Sequence, residues 1–251
     1  MFKNKVAVVT GAASGIGRET AVAFSEKGCR VIASDIQKDM LDETVKIIKE
    51  KNFEAMGVIA DVSNPENIQK LINKARVEFG RLDFLCNNAG VSGDLTPTAE
   101  YSIEQWNRVL NINLRGQWLC MKYAIPVMLE NDGGSIVNVT SILGSVGFEN
   151  APAYTAAKHG LEGLTKTAAI EYSAKGIRIN SVAPAFIETP MLDNAGITTD
   201  PEMKDMVISL HPIGRLGKPR EVADVIVWLC SAEASFITGH SLLVDGGYTC
   251  R

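Results

Sequence analysis

Three side chains in the middle of the chain are of types that can together move a proton to or from an oxygen atom. Tyr154 and Lys158 stand four residues apart, which on a helix puts them one turn apart on the same face. A nearby ammonium favours the ionised form of a phenol, so this spacing predicts a lowered pKa for Tyr154 and proton exchange near neutral pH. Ser141 follows the predicted strand 135–139, and its hydroxyl can hydrogen-bond a substrate oxygen as charge develops there.

A glycine-rich turn near the N-terminus supplies a second chemical feature. Gly11, Gly15 and Gly17 lie between an apolar run and an amphipathic stretch, in the order strand, turn, helix. Glycines there permit a tight turn and a close approach of the backbone to a pyrophosphate at the helix N-terminus. Ser14 and Ile16 belong to the same turn and to the same predicted site. A dinucleotide site combined with proton-transferring side chains predicts hydride transfer.

Asp35 stands at the carboxyl end of the second predicted strand. An acid at this place in a strand-helix-strand unit accepts hydrogen bonds from the two hydroxyls of an adenosine ribose. A 2′-phosphate would bring like charges together and lose those bonds, and Ser14 offers no basic group to offset the repulsion. The sequence therefore predicts NAD rather than NADP, and we assign the neighbouring Ile36 to the same cofactor site.

The motifs are embedded in an alternation of strand and helix patterns. Alternation of this kind predicts an α/β fold of residues 1–251, a single-domain, doubly wound, Rossmann-like parallel sheet of seven strands with helices on both faces. Ligands of such sheets bind outside the carboxyl ends of the strands, where all of the motifs map. Ser63 and Ser102 each begin a capping-box pattern before a helix. The predicted strands are 6–10, 30–34, 55–60, 82–86, 135–139, 178–182 and 241–244.

In these motifs the chain resembles the short-chain dehydrogenase/reductase family over nearly its whole length. The resemblance rests on the spacing Gly-x-x-x-Gly-x-Gly, on Asn87-Asn88-Ala89-Gly90, on Ser141 with Tyr154 and Lys158, and on Leu243-Val244-Asp245-Gly246-Gly247. It implies an NAD(H)-dependent oxidoreductase that interconverts a secondary alcohol and its ketone, with a tyrosine as general acid and base. Ala185 is a departure, because the family commonly has glycine after the preceding proline. The cofactor contacts that the resemblance implies are Asp61, Val62, Asn88, Ala89, Gly90, Tyr154, Lys158, Pro184, Ile187 and Thr189.

A fourth catalytic residue is an asparagine, and the residue pattern alone leaves Asn111 and Asn113 as alternatives. The resemblance selects Asn113, which directly precedes Leu114, and implies that it kinks its helix and holds a water linked to Lys158. The resemblance also implies a homotetramer in which the predicted helices 103–130 and 153–175 share an interface.

Composition excludes several other classes of protein. The net charge is −4 and no basic patch stands out, so we expect no nucleic-acid partner. The five cysteines are scattered and never spaced Cys-x-x-Cys, which predicts reduced thiols and no metal site. No apolar run approaches the length of a membrane span, and no signal peptide is recognisable, so we expect a cytoplasmic enzyme without a membrane partner.

The loops that should surround the substrate carry acidic and apolar residues but no lysine or arginine before Lys204. These loops are 91–101, 142–153 and 186–210, and the last has the length of a mobile lid. They predict a small neutral ketone or secondary alcohol as substrate. The alternative is a 3-oxoacyl-(acyl-carrier-protein) reductase, against which Asp35 and the acidic rim both argue. A third hypothesis, a non-enzymatic sensor or scaffold that binds NAD, is disfavoured by the complete catalytic set.

Overall fold

The computed structural model describes residues 2–250, which form a seven-stranded sheet in which all neighbouring strands are parallel. The strands are β1 (Val6–Thr10), β2 (Arg30–Asp35), β3 (Ala55–Ile59), β4 (Phe84–Asn87), β5 (Gly134–Val139), β6 (Ile177–Pro184) and β7 (Ser241–Val244). Their spatial order is β3-β2-β1-β4-β5-β6-β7. The predicted fold class is confirmed.

Helices connect successive strands and cover both faces of the sheet. The α-helices of the described residues are α1 (Gly15–Glu26), α2 (Lys38–Glu50), α3 (Pro65–Phe79), α4 (Ile103–Leu110), α5 (Gln117–Leu129), α6 (Pro152–Tyr172), α7 (Pro190–Asn194), α8 (Pro201–Ser209) and α9 (Pro219–Cys230). No helix within residues 2–250 has both the length and the apolarity that a membrane crossing requires.

Two hydrophobic layers arise from the alternation of side chains along each strand. In β1, Ala7 and Val9 face the layer that contains α1 and α9, whereas Val6 and Val8 face the layer that contains α3 and α5. All four residues are fully buried. Burial on both faces explains why this strand is a continuous apolar run.

The strand order reverses beside β1, which pairs with β2 on one side and with β4 on the other. The chain leaves β1 at Gly11 and β4 at Asn88, so both predicted motifs emerge at the same edge of the sheet. This is the crevice in which open parallel sheets bind their ligands.

Two local predictions are wrong at polar positions. The strand predicted over 82–86 begins at Phe84, because the side chain of Asp83 is engaged in other contacts. Its buried carboxylate accepts a hydrogen bond from Val6 N (2.9 Å) and forms ion pairs with Lys5 and Arg81. The predicted capping box at Ser63 is displaced by one residue, since Asn64 caps α3. Ser102 does cap α4, accepting from Gln105 N at 3.1 Å.

Candidate active site

Two adjoining cavities open at the carboxyl ends of the strands. The first, which we call the glycine-turn cleft, has a volume of about 260 Å³ and is lined by residues that include Gly11, Ser14, Gly15, Ile16, Asp35, Ile36, Asp61, Val62, Ala89 and Gly90. The second, the Tyr154 cavity, has a volume of about 460 Å³. The two cavities share Ile16, Asn88, Gly90, Thr189 and Met191 in their linings. A ligand could therefore extend from one into the other.

The glycine turn leaves no room for side chains. Gly11 and Gly15 have φ angles of 65° and 52°, in the left-handed region that favours glycine. A Cβ on Gly11 would lie 2.7 Å from Asn88 Nδ2, and one on Gly17 would lie 2.0 Å from the Gly11 carbonyl oxygen. Gly17 lines neither cavity and packs the start of α1 against the turn, whereas Gly11 and Gly15 line the glycine-turn cleft.

The start of α1 suits a negatively charged group. Ser14 is the N-cap residue, and its side chain makes no capping hydrogen bond. The first turn of α1 contains no acidic residue. Its free amide groups and the positive end of the helix dipole are therefore available to a pyrophosphate, and the glycine turn beside them fits a dinucleotide.

Asp35 ends β2 and lines the glycine-turn cleft. Its carboxylate accepts hydrogen bonds from Ala13 N (3.1 Å) and Gln37 N (3.0 Å), so it also fixes the turn. No lysine, arginine or histidine is among the described residues that line this cleft. The nearby Arg18 is engaged by the Ala13 carbonyl oxygen and by Glu43. A 2′-phosphate would find no cation here.

Thr10 is a site residue that sequence reasoning missed. Its hydroxyl accepts hydrogen bonds from the backbone amides of Asn88 (3.1 Å) and Ala89 (3.2 Å), and the Asn88 side chain donates to Thr10 O and Gly11 O at 3.0 Å each. These contacts tie the chain after β4 to the glycine turn. The sequence signal that could have indicated this role is the position of Thr10, a polar residue at the end of the buried strand β1.

Asp61 lines the cleft beside Val62 and also shapes its own turn. One carboxylate oxygen accepts from Ser63 N (2.8 Å) and from the Ser63 hydroxyl (2.7 Å). Asp61 thus shapes its turn and lines the cleft at the same time.

Ser141, Tyr154 and Lys158 meet at the wall of the Tyr154 cavity. The Ser141 hydroxyl accepts a hydrogen bond from Leu143 N at 3.2 Å, which leaves its proton to donate. Lys158 is 3% exposed and donates to Val139 O at 2.8 Å, at the end of β5. Its Nζ lies 5.4 Å from the centre of the Tyr154 ring. The predicted trio is brought together by β5 and α6.

Burial dominates the acidity of this pair. It raises the pKa of Tyr154 to about 12, although the Ser141 hydroxyl opposes the rise through a hydrogen bond. Burial lowers the pKa of Lys158 to about 7. The predicted lowering of the Tyr154 pKa is therefore wrong in sign for this structure: the phenol is a protonated acid at neutral pH, and Lys158 is the group poised to exchange protons there.

The structure distinguishes the two asparagines. Asn111 is exposed, whereas Asn113 is fully buried and binds the backbone of Val91 through both ends of its amide: Oδ1 accepts from Val91 N (2.8 Å) and Nδ2 donates to Val91 O (2.7 Å). The predicted continuous helix 103–130 is interrupted here by a π-helical turn, Asn111–Gly116. Such turns often mark functional sites. Asn113 itself lines neither cavity.

The remaining predicted contacts lie at the junction of the two cavities. Pro184, Ile187 and Thr189 all line the Tyr154 cavity, and Thr189 lines both. Thr189 also touches the glycine turn, since a Cβ on Gly15 would lie 2.9 Å from its Cγ2. Ala185 is not among the non-glycine residues with positive φ, so the departure from glycine causes no strain.

The wall of the Tyr154 cavity is mostly apolar. Of the described residues that line it, only Lys158 is basic and only Asp94 is acidic. The other acids of the predicted rim, including Glu188 and Asp193, do not line the cavity. The apolar residues that the loops 142–153 and 186–210 contribute to the wall include Ile142, Leu143, Phe148, Phe186 and Met191. Within residues 2–250 no three His, Cys, Asp or Glu side chains are grouped as metal ligands.

Comparisons with known proteins agree with this geometry. A family profile described as enoyl-(acyl carrier protein) reductase matches residues 11–249. The chain is 45% identical over 250 residues to a cyclohexanol dehydrogenase of Acinetobacter sp. (strain SE19), covering 100% of this chain and 97% of the relative. It is 43% identical over 248 residues to cis-4-hydroxycyclohexanecarboxylate dehydrogenase of Sinomonas cyclohexanicum, covering 99% and 98%. It is 40% identical over 247 residues to the 3-oxoacyl-(acyl-carrier-protein) reductase of Thermotoga maritima, covering 98% of each.

Among solved structures, levodione reductase matches with a TM-score of 0.96 at 34% identity, covering 100% of this chain and 99% of that chain. The chain belongs to the short-chain dehydrogenase/reductase family of oxidoreductases, which use a nicotinamide cofactor. The resemblance predicted from the sequence motifs is confirmed.

Proposed function

We propose that this protein is an NAD(H)-dependent dehydrogenase that interconverts a neutral, ring-shaped secondary alcohol and its ketone. The observation that carries the proposal is the Tyr154 cavity, in which Ser141, Tyr154 and Lys158 meet a mostly apolar wall, with Asp94 the one carboxylate among the described residues that line it. Its volume of about 460 Å³ lies within the range of small-molecule sites. Relatives named for cyclohexanol and levodione support a cyclic substrate.

Each polar group of the trio has a task in the reaction at the carbonyl group. Tyr154 donates its proton to the carbonyl oxygen during reduction and takes it back during oxidation. Ser141 donates a hydrogen bond to the same oxygen and stabilises the charge that develops there. Lys158 returns protons to Tyr154, a task for which a pKa of about 7 is suited. A bound nicotinamide would supply the hydride to the carbon, or accept it.

Asn113 contributes to proton delivery by position. Its side-chain amide is used by the Val91 backbone, so the water that connects Lys158 to solvent protons is expected at the Asn113 main-chain carbonyl. The π-helical turn displaces carbonyls from regular α-helical pairing and makes such a site available.

The residues of the glycine-turn cleft would hold the dinucleotide. The amides at the start of α1 would bind the pyrophosphate, and Asp35 the adenosine ribose. Ile36, Asp61 and Val62 would flank the adenine side of the cleft. The absence of a cation among its described lining residues supports NAD over NADP.

The segment 186–210 is proposed as the substrate lid. It carries α7 and α8 and contributes Phe186, Met191, Leu192 and Asn194 to the wall of the Tyr154 cavity. Ile197 and Val207 of this segment pack with Leu216 in one apolar cluster, which would let the segment move together with the residues that follow it.

Two relatives suggest charged substrates instead. One is named for a cyclohexane that bears a carboxylate, and another for an acyl-carrier-protein thioester. The second gives the alternative function, 3-oxoacyl-(acyl-carrier-protein) reductase. We favour the neutral ring because Lys158, the only basic side chain among the described residues that line the cavity, donates to Val139 O, and a buried anion without a basic partner is costly.

A substrate panel tests the proposal. Cyclohexanone, an open-chain ketone and a 3-oxoacyl thioester are each reduced with NADH and with NADPH, and the loss of reduced-nicotinamide absorbance is followed. The highest kcat/KM is expected for cyclohexanone with NADH. If the thioester with NADPH gives the highest value, the carrier-protein function replaces the proposed one, and if no pair turns over, neither function stands.

A further inference from the structure

The motif Asp245-Gly246-Gly247 has no part in the proposed chemistry, yet the structure gives it a defined environment. The Asp245 carboxylate accepts hydrogen bonds from Gly247 N (3.0 Å) and Thr249 N (3.0 Å), and from the Thr249 hydroxyl (2.6 Å). These bonds shape the turn Tyr248–Cys250 that follows β7. The carboxylate thus fixes the direction in which Tyr248 leaves the chain.

The two glycines bring this turn against the residues that follow α8. Ile213 N donates to Gly246 O at 3.1 Å. A Cβ on Gly246 would lie 2.7 Å from Ile213 Cγ2, and one on Gly247 would lie 3.1 Å from Pro212 Cγ. Only glycine allows this approach, and both residues have positive φ.

The approach places the ring of Tyr248 at both ends of the lid segment 186–210, against Phe186 at its start and against His211, which directly follows its last residue. Tyr248 lies 5.9 Å from Phe186 and 5.4 Å from His211 between ring centres, and Phe186 and His211 are 5.8 Å apart. We call these three rings the lid clasp. His211 is 3% exposed, and its Nδ1 donates to Val207 O (2.8 Å), which joins the clasp to the end of α8.

Phe186 connects the lid clasp to the wall of the Tyr154 cavity. This ring lines the Tyr154 cavity and also contacts Phe148, another lining residue, at 6.1 Å. The pairs Phe148–Phe186, Phe186–His211 and His211–Tyr248 meet edge to face, and the Phe186–Tyr248 pair is tilted at 44°. Ring packing of this kind fixes ring orientation as well as position. The orientation of one substrate-facing ring therefore depends on Tyr248, which does not line the cavity itself.

The backbone beside Phe186 is held by separate contacts. Gly217 N donates to Phe186 O (3.0 Å), and Glu188 N donates to Gly217 O (2.9 Å). These bonds fix Ile187 and the approach to Thr189, the residues assigned to the cofactor. Loss of the Tyr248 ring should therefore disturb the substrate wall and leave the cofactor contacts in place.

We propose that Tyr248 is a positioning residue for the alcohol or ketone: it holds Phe186 in the wall of the Tyr154 cavity and clasps the two ends of the lid. The substrate part of this inference rests on the proposed function, whereas the clasp itself does not.

Steady-state kinetics with cyclohexanone and saturating NADH test the substrate part. Tyr248→Leu should raise KM about tenfold while kcat stays within about threefold, since ring contacts are lost far from the reacting atoms. The dissociation constant of NADH, read by fluorescence, should stay within about twofold. Tyr248→Phe keeps the ring and should behave as wild type, and so should Cys250→Ser, which alters an exposed neighbour in the same turn.

Hydrogen exchange tests the clasp without any substrate. Amides of residues 190–209 should exchange at least about fivefold faster in Tyr248→Leu, while those of β4 and β5 keep the wild-type rate. If Tyr248→Leu does not fold, Thr249→Val serves instead, because it removes one bond that shapes the turn and should give a smaller change in the same direction.

The inference is overturned if exchange over 190–209 is unchanged, if Tyr248→Phe is as damaging as Tyr248→Leu, or if kcat falls with KM unchanged. A wild-type protein that turns over no ketone removes the proposed function, and exchange over 190–209 then decides the clasp alone.

Discussion

At the residue scale, burial raises the pKa of Tyr154 to about 12 and the hydrogen bond from Ser141 opposes that rise. The same apolar surroundings lower the pKa of Lys158, whose Nζ lies 5.4 Å from the centre of the Tyr154 ring, to about 7. Each group is thereby kept mainly or partly neutral near pH 7. Tyr154 therefore carries the transferable proton, and Lys158 can supply a new proton to the phenol after transfer.

Replacing Tyr154 by phenylalanine should remove that proton and little else. We expect turnover to fall more than about a hundredfold, which is the usual contribution of a general acid. NADH binding should change less than about twofold. The comparison is kinetics and fluorescence titration of Tyr154→Phe beside Tyr172→Phe, a control at the far end of α6. Retention of about a tenth of the activity would remove Tyr154 from its assigned role.

The raised pKa of Tyr154 gives the two reaction directions different pH profiles. Oxidation needs the ionised phenol, and below its pKa the ionised fraction rises tenfold per pH unit, so kcat/KM for oxidation should climb at least about threefold per unit between pH 7 and 9. Reduction needs the protonated phenol, which predominates throughout this range, and should not climb. An oxidation rate independent of pH from 6 to 9 would contradict the assignment.

Asp35 should set cofactor preference. NADH is expected to exceed NADPH by at least about tenfold in kcat/KM, equivalent to about 1.4 kcal/mol. Asp35→Asn keeps an acceptor for the Ala13 amide but removes the charge, so the ratio should shrink while the turn survives. Glu50→Gln, at the exposed end of α2, is the matched control. An unchanged ratio in both Asp35→Asn and Asp35→Ala would mean that the ribose lies elsewhere.

At the scale of elements, periodicity was a sufficient guide to the sheet, because strands buried on both faces are continuous apolar runs bounded by turns. Periodicity gave the wrong element boundary where a polar side chain hydrogen-bonds the backbone, as Asp83 and Asn64 do. The π-helical turn at Asn113 could not be predicted, since an extra residue in a helix leaves its composition unchanged. The role of Thr10 depends on Asn88 and Ala89, which follow β4 and are distant from Thr10 in sequence.

Of the acidic residues predicted to surround the substrate, only Asp94 is among the described residues that line the Tyr154 cavity. This exposed carboxylate should repel anionic substrates weakly, since exposed charges are screened. We expect a keto ester to be reduced with a higher kcat/KM than its free keto acid, and Asp94→Asn to narrow the difference by about two- to fivefold at low salt. The matched control is Glu188→Gln, which does not line the cavity. A preference for the acid that weakens with salt would indicate a basic group facing the site.

At the scale of the whole molecule, two sets of exposed apolar side chains predict self-association. Ile103, Trp106, Trp118 and Ile170 lie on α4, α5 and α6, with Ile170 85% exposed. Trp228, Phe236 and Leu243 lie near the edge strand β7. Two separate self-complementary faces generate a tetramer with two-fold axes, consistent with the interface expected for helices 103–130 and 153–175.

Light scattering should therefore give four times the chain mass at micromolar concentration. Ile170→Asp or Phe236→Glu, each altering one set, should reduce the assembly to a dimer, and the double variant should give a monomer. Val77→Glu, an exposed apolar position on α3 outside both sets, should leave the tetramer intact. A wild-type monomer would exclude the proposed assembly.

The reactivity of the cysteines can report the order in which parts of the protein unfold. Cys29 precedes β2, Cys86 lies in β4, Cys120 in α5 and Cys230 at the end of α9, and all four are buried, whereas Cys250 is exposed. Burial raises the pKa of each of the four buried thiols, which keeps them protonated and unreactive towards alkylating reagents. Brief alkylation of the native enzyme thus marks Cys250, and the order in which the others become labelled in denaturant reports which layer of the sheet separates first.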